Sequence, residues 1–399
     1  MALRPFSFMS AERLCPPAAS VDRLDPAVPG RVTIHPAGAI AHQPPRYAFD
    51  DDDLLAPGQV SEAPIDLRAH TAQYSSTFLA TLPGAVVEKF AAVPTASNTF
   101  HVFVDDGVAV AESFHNRTSH EFVSRLMGEC LTAPAPDGGP GLPVPVVDWA
   151  EPDLTVEGPC LLLSSRFIHH NYYHWIFEGL TRFWCREHLP DFDSLTLVLP
   201  SADLRPFHTG VLERMGLRNQ LMVLNRRLVR FERLWFPSFL DPGTVTPRQV
   251  AWLRQLLFTL FPAAAAQARR RRIYVSRCDA KARIVSNEAA VMARLEPLGF
   301  TMIVPGRMSL EEQVTAFAGA EMVVAPHGAA NASIAFCPPG TPFIELVPTG
   351  NRSALYWMQA NVGGLPYGRL VCPEDRPGVS MVADPVRLAH LVQQAAKDA

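Results

Sequence analysis

The chain has 399 residues, 48% of them hydrophobic and 19% charged, a mix that buries sizeable cores and excludes global disorder. At about 100 to 200 residues per domain, the length predicts two domains with room for a smaller module. The net charge of -4 supplies no general positive field, which excludes non-specific nucleic-acid binding. Only three of the 35 basic residues are lysines (Lys89, Lys281, Lys397), so a single arginine carries meaning by position alone. The opening MALRPFSFMSAERLCPP lacks the basic and apolar regions of a secretory signal. The most apolar window, 251–266, holds Arg254, Gln255 and Pro262 and falls short of a membrane span. A cytoplasmic protein with no transmembrane segment is expected, with peripheral membrane contact still open to it. Seven dispersed cysteines without a C-x-x-C pair predict reduced thiols rather than a disulfide scaffold or a zinc knuckle.

Residues 1–145 read as an irregular, β-containing segment. Val32 to His35 is a short strand candidate, and Asp50 to Asp53 form an acidic run. Ala85 to Phe90 reads as a strand, and Phe100 to Val104 with Val108 to Ser113 as a hairpin turned by Asp105-Asp106-Gly107, whose glycine supplies the positive φ of a tight turn. The stretch APAPDGGPGLPVP, 133–145, reads as a linker and a domain boundary. Residues 146–262 alternate strands (161–165, 195–199, 221–224, 234–237) with helices (172–187, 204–215, 247–260), the texture of βαβ units. A second series fills 263–399, with strands at 273–276, 301–304, 322–325, 343–347 and 369–372. Ser309-Leu-Glu-Glu312 is a capping box, and Asp384-Pro385 places an N-cap before a first-turn proline. Two Rossmann-like α/β domains in tandem are predicted. Open α/β sheets bind ligands beyond the carboxyl ends of their strands, so two facing sheets would suit a two-substrate reaction.

Three places carry chemistry. In Met322-Val-Val-Ala-Pro-His-Gly-Ala-Ala-Asn331, a strand turns through His327 and Gly328 into small residues, and such a turn offers unpaired N–H groups to a phosphate. A small-residue helix start also packs closely on its sheet with no ligand, and the local pattern leaves both open. Glu345, near the end of the next strand, can accept from ribose hydroxyls or be a plain strand-end charge. Ile273-Tyr-Val-Ser-Arg277, Arg283 and Asn287-Glu288 put guanidinium forks where bidentate phosphate recognition would want them. In His169-His-Asn-Tyr-Tyr-His-Trp-Ile-Phe-Glu178, His174 and Glu178 share a helical face with Asn171 close by, a candidate general base at a helix start. Tyr173, Trp175, Phe177 and Leu180 fit ordinary core, and no H-E-x-x-H ligand set appears. Asp191-Phe-Asp193 matches the D-x-D metal pattern but precedes its strand. Arg269 to Arg272 reads as a solvated run, and Asn116-Arg-Thr118 fits a glycosylation sequon only in a secretory compartment.

Together these pieces resemble glycosyltransferase family 61, which includes plant xylosyl and arabinosyl transferases, protein O-linked N-acetylglucosaminyltransferases and bacterial capsular polysaccharide enzymes. The resemblance covers roughly 160–370. It rests on N-Y-Y-H-W at Asn171 to Trp175, on Ile273 to Arg277 with Arg283 and Asn287-Glu288, and on Pro326-His-Gly-Ala through Phe336-Cys-Pro-Pro-Gly to Ile344-Glu-Leu346. It implies a GT-B-like pair of domains, 146–262 for the acceptor and 263–399 for the nucleotide sugar. It also implies an inverting transfer from a UDP-sugar to a hydroxyl of a polysaccharide or glycoconjugate, with no cofactor and no essential metal. Arg277, Arg283, Asn287, His327, Gly328, Ala329 and Asn331 would then hold the donor, mainly its diphosphate, and Glu345 the ribose. Glu178, positioned by His174 and Asn171, would be the base. Relatives often carry aspartate where this chain has Glu178, and H-G-A-G where it has Ala330. The alternatives are an epimerase of the same architecture, which would turn over donor without acceptor, and a non-catalytic glycan- or partner-binding protein.

Overall fold

The computed structural model describes residues 3–5, 7–9, 11–18, 25, 27–48, 54–56, 65–90, 99–104, 108–110, 113, 130–133, 142–148, 151–163, 168–189, 191–199, 204–238, 245–266, 271–350 and 353–398. The Asp105-Gly107 turn, the acidic run at 50–53, the 116–118 triplet and Arg269-Arg270 lie outside them. The chain divides into two compact units. The first comprises Met1–Gly38, Tyr74–Arg205 and Gly216–Pro242; the second comprises Ala39–Gln73, Pro206–Met215 and Gly243–Ala399.

In the first unit, β1 (Gly30–His35), β2 (Thr77–Pro83), β3 (Val86–Phe90), β4 (Thr99–Val104), β5 (Val108–Val110), β6 (Leu154–Leu162), β7 (Thr196–Leu199), β8 (Leu221–Val223) and β9 (Leu228–Pro237) share a ten-stranded sheet. The expected βαβ texture is present as four parallel strands in the order β8-β7-β6-β9, so the winding reverses between β6 and β9. On the far side of β9 the sheet continues with antiparallel strands from early in the chain: Trp235 pairs with Thr81 and Val229 with Val87. The described strands at 30–35, 77–83, 86–90, 99–104 and 108–110 are therefore part of this same sheet. Left bare, β9 would present a row of unpaired N–H and C=O groups, and β2, whose residues Thr77 to Leu82 are all buried, covers it. The expected linker also ends in structure. Leu142–Asp148 is a strand paired with Cys130–Ala133, the prolines at 143 and 145 having masked the period-two spacing of Leu142, Val144 and Val146. The core gathers Phe78, Leu82, Val102, Leu162, Val198, Phe231 and Phe236.

The second unit holds β10 (Arg271–Val275), β11 (Phe300–Ile303), β12 (Ala320–Pro326), β13 (Phe343–Pro348) and β14 (Tyr367–Cys372). All five are parallel, in the order β11-β10-β12-β13-β14. Counted along the chain this is 2-1-3-4-5, with the reversal between β10 and β12. Its α-helices of seven or more residues are α1 (Pro206–Leu212), α2 (Pro247–Leu260), α3 (Glu288–Leu295), α4 (Leu310–Ala318), α5 (Leu355–Val362) and α6 (Pro385–Asp398). The capping box at Ser309 is formed, a second closes on Thr246 and Gln249, and Asp384 Oδ1 accepts from the N–H groups of Val386 and Arg387. The expected helix at 204–215 is shorter and opens at Pro206, where a proline needs no intrahelical partner.

The division between units also departs from the expected 262/263. Helices α1 and α2 belong to the second unit, where Arg254 Nη1 donates to the Cys337 carbonyl. So do residues 39–73: Trp357 Nε1 donates to the Gln43 carbonyl, and the Arg369 N–H to that of Tyr47. Arg271 and Arg272, expected in a solvated run, open β10, and Arg272 binds Glu321 at 2.8 Å. Tyr274, Val291, Phe300, Met322, Ile344, Leu370 and Leu391 lie in this unit's core. Among the described residues, no helix is long and apolar enough to cross a membrane.

Candidate active site

Both sheets carry their candidate residues just past the carboxyl end of a strand at the reversal of winding, where open α/β sheets leave a crevice for ligands. In the first unit that strand is β6. Asn171 then caps a helical run that changes pitch as it goes: α-helical over Tyr172–His174, π-helical over Trp175–Gly179 and 3₁₀ over Leu180–His188. A plain helix was expected there. The widened turn, closed by the Leu180 N–H on the Trp175 carbonyl, is a feature that recurs at functional sites. Gly179 makes room for it, since a Cβ there would stand 2.6 Å from Trp175 Cε3.

His174 Nδ1 and Glu178 Oε1 are 2.7 Å apart, so the four-residue spacing does join them. The imidazole is the more accessible partner, with 18% of its side chain exposed against 6% for Glu178. Beneath them Arg182 is buried; burial pulls its guanidinium down to about 10, against the opposing pull of Glu178. Arg182 Nη1 donates to the Pro237 carbonyl. Asn171 does not position His174 through its amide oxygen, because that oxygen accepts the Tyr173 N–H as the helix cap. Tyr173, Trp175, Phe177 and Leu180 are core. His169 and His170 lie ring to ring, and burial, then His174 and Arg205, pull the His170 imidazole down.

In the second unit the expected strand-to-turn motif is formed at the end of β12. His327 and Gly328 lead into a 3₁₀ helix opened by Ala329, Ala329–Phe336. Arg277 follows β10 on the other side of the reversal, with Nε and Nη2 donating to the Ala282 carbonyl. The next residue, Arg283, has φ 55°, a left-handed backbone that costs a non-glycine residue about 1 to 3 kcal/mol and tends to persist at functional sites. Burial, then the neighbouring Arg283, pull the Arg277 guanidinium down to about 10, while Tyr356 and Asp279 offset part of that. Neither arginine has an ion pair among the described residues. Two adjoining guanidinium groups outside any ion pair have the chemistry to hold an anion with more than one charge.

Gly328 is required by this approach and not by its backbone, whose φ of 176° any residue adopts. A Cβ there would collide with Arg277 Nη1. Since the obstacle is the end of a flexible side chain, Gly328→Ala should fold normally and push the guanidinium aside. The expected result is an unchanged melting temperature with about tenfold weaker binding of inorganic pyrophosphate, a probe of the anion site, by calorimetry; unchanged affinity would remove Arg277 from the site.

Three residues expected at the donor have side-chain partners within the protein. Asn287 is spent on the backbone, its amide nitrogen donating to the Ala383 carbonyl and its oxygen accepting the Ala383 N–H. Asn331 is fully buried and donates to the Pro326 carbonyl, which staples the 3₁₀ helix to the end of β12. Glu345 has 0% of its side chain exposed; Oε1 meets His327 Nδ1 at 2.6 Å, and Oε2 accepts from the Tyr367 hydroxyl at 2.6 Å. Tyr367, one strand further on, and Tyr356, whose ring centroid is 5.0 Å from that of His327, were not legible beforehand because neither is near the others in sequence. Arg182 was legible as the third member of a 174, 178, 182 series with helical spacing. Among the described residues, no group of three or more His, Cys, Asp or Glu side chains is placed to hold a metal ion. Asp193 of the D-x-D pattern instead approaches Arg186 at 3.9 Å.

Residues 172–344 match the family model described as Glycosyltransferase 61. A comparison with curated proteins finds no match. Similar solved structures include the dodecameric iron-containing heptosyltransferase TibC in complex with ADP-D-beta-D-heptose, at 9% identity over 81% of this chain and 93% of that chain, with a TM-score of 0.32. TibC from enterotoxigenic E. coli is similar at 12% identity over 68% of this chain and 75% of that chain, with a TM-score of 0.26. Scores of this size do not establish a shared fold.

Proposed function

We propose, from the premise that residues 172–344 are a glycosyltransferase family 61 region, that this glycosyltransferase moves a sugar from a nucleotide diphosphate donor to a hydroxyl of a glycan or glycoconjugate. The finer reading is a GT-B-like division of labour, with a UDP-sugar donor, inversion at the anomeric carbon and no metal requirement. The observation that carries it is the pair of guanidiniums of Arg277 and Arg283, outside any ion pair among the described residues, with Arg277 lying against Gly328 next to His327, at the winding reversal of a 2-1-3-4-5 sheet.

In this reading the two arginines, His327 and the N–H groups that open the 3₁₀ helix at Ala329 receive the departing diphosphate, supplying the charge a divalent cation would otherwise bring. His174 takes the proton of the acceptor hydroxyl. With Nδ1 turned to Glu178, its proton acceptor is Nε2, and the carboxylate steadies the imidazolium that forms. The acceptor oxygen bonds to the anomeric carbon while the bond from that carbon to the phosphate oxygen breaks, its electron pair leaving with the diphosphate. The base is thus His174 with Glu178 behind it, the reverse of the order expected from the sequence, because the imidazole is the more exposed of the two.

The test is thermal unfolding in EDTA against UDP, GDP, CMP, dTDP and NAD. A ligand selective for the folded protein raises its stability by about 2.7 kcal/mol at 100 times its dissociation constant. UDP should raise the melting temperature without added metal. A rise only with magnesium or manganese present would end the metal-independent part of the reading, and no rise with any nucleotide would end the donor site.

A further inference from the structure

The carboxylate of Glu345 lies where a ribose contact was expected, yet it has no exposed surface and both its oxygens are engaged inside the protein. His327 stands between it and solvent, with 8% of its side chain exposed. A chain of buried groups runs inward from there. The His327 ring meets Glu345 on β13, Glu345 accepts from Tyr367 on β14, and the buried guanidinium of Arg369, two residues on in the same strand, lies near Tyr367. Other titratable and charged groups flank the ring: Tyr356 on α5 stands 5.0 Å away centroid to centroid, and Arg277 lies against Gly328 with Arg283 beside it. Burial and Glu345 push both tyrosine hydroxyls upward, so both stay protonated.

Resting on the donor-site reading above, we propose that Glu345 and Tyr367 are positioning residues of the diphosphate site: they touch no part of the nucleotide and act by holding His327 with its Nε2–H presented to the diphosphate. The Tyr367 hydroxyl donates to Oε2, which leaves Oε1 facing His327 Nδ1. A single proton shared between Nδ1 and Oε1 satisfies that short contact. A second proton, on Nε2, is then the one a phosphate oxygen accepts. A carboxylate behind a histidine fixes which ring nitrogen faces outward in the same way at other catalytic and metal-binding histidines.

The experiment compares inorganic pyrophosphate, which has no ribose, with UDP, by calorimetry on the full chain. Glu345→Gln is expected to weaken both probes by the same factor, about tenfold or more, the value of a charge-assisted hydrogen bond. Tyr367→Phe removes one hydroxyl and should weaken both in parallel by a smaller factor, so a poorly folded Glu345→Gln protein does not leave the matter open. In a His327→Gln background neither change should add further loss, because groups that act through one another are not additive. A change in shape alone would not produce that pattern. In the free protein, the strongly downfield N–H proton resonance expected of the short His327–Glu345 contact should vanish in Glu345→Gln. Loss of UDP affinity with pyrophosphate binding intact would return Glu345 to the ribose and overturn the proposal. So would losses that add to that of His327→Gln. If the wild-type chain binds neither probe, or Arg277→Ala binds both unchanged, the donor-site reading itself fails and this inference with it.

Discussion

Replacing His174 by glutamine is expected to lower kcat by about 10²- to 10⁴-fold, the usual worth of a positioned general base, with UDP affinity retained. The readout is release of UDP from a panel of UDP-sugars, with and without a glycan acceptor. Glu178→Gln should lose less, because the imidazole stays in place while the support for its charge is reduced and Arg182 is left without the carboxylate it opposes. The double variant should fall no further than His174→Gln alone, since the two groups act as one unit. If Glu178→Gln instead loses the full factor while His174→Gln keeps appreciable turnover, the carboxylate is the base and the histidine its support. Retained turnover in both variants would remove this helix from the chemistry altogether.

The second large effect is at Arg277. Arg277→Ala deletes a half-buried guanidinium that lies against Gly328 with Arg283 beside it, and a charge-assisted contact with a diphosphate is worth about 1.5 to 3 kcal/mol, or about 10- to 100-fold in affinity. The loss should appear first in the dissociation constant of UDP and in the KM of the donor. Arg277→Lys should recover little, because an ammonium lacks the planar fork that donates to the Ala282 carbonyl and reaches a phosphate at the same time. Stability should change little or rise, since the variant removes one of two like charges held side by side. A UDP affinity that survives both substitutions would dismiss the anion site.

What could be read along the chain was whatever depends on neighbours in sequence. Capping at Ser309 and Asp384 follows from side chains reaching backbone two or three residues away, and the parallel strands of the second unit lie at or beside the expected positions because buried strands are short apolar runs. His174 and Glu178 meet because a helical turn brings residues four apart together, and His327-Gly328 opens a helix because a strand ends just before it.

The tertiary structure decided everything that joins distant segments. Strand β2 completes the edge of β9, more than 140 residues later, and no local pattern shows which exposed edge a strand will cover. Residues 39–48 run over the second unit by backbone bonds to Tyr367 and Arg369, which side-chain periodicity does not encode. The surroundings of Asn287 and Glu345 turned on packing: each has the chemistry of a ligand contact, and each is held by a partner brought up from elsewhere in the fold, whereas Asn331 is buried against the Pro326 carbonyl five residues before it. Composition and spacing determined which polar groups stand at the carboxyl ends of the strands. Packing decided which of them still face solvent, and a group without exposed surface acts on a ligand only through the neighbour that has some.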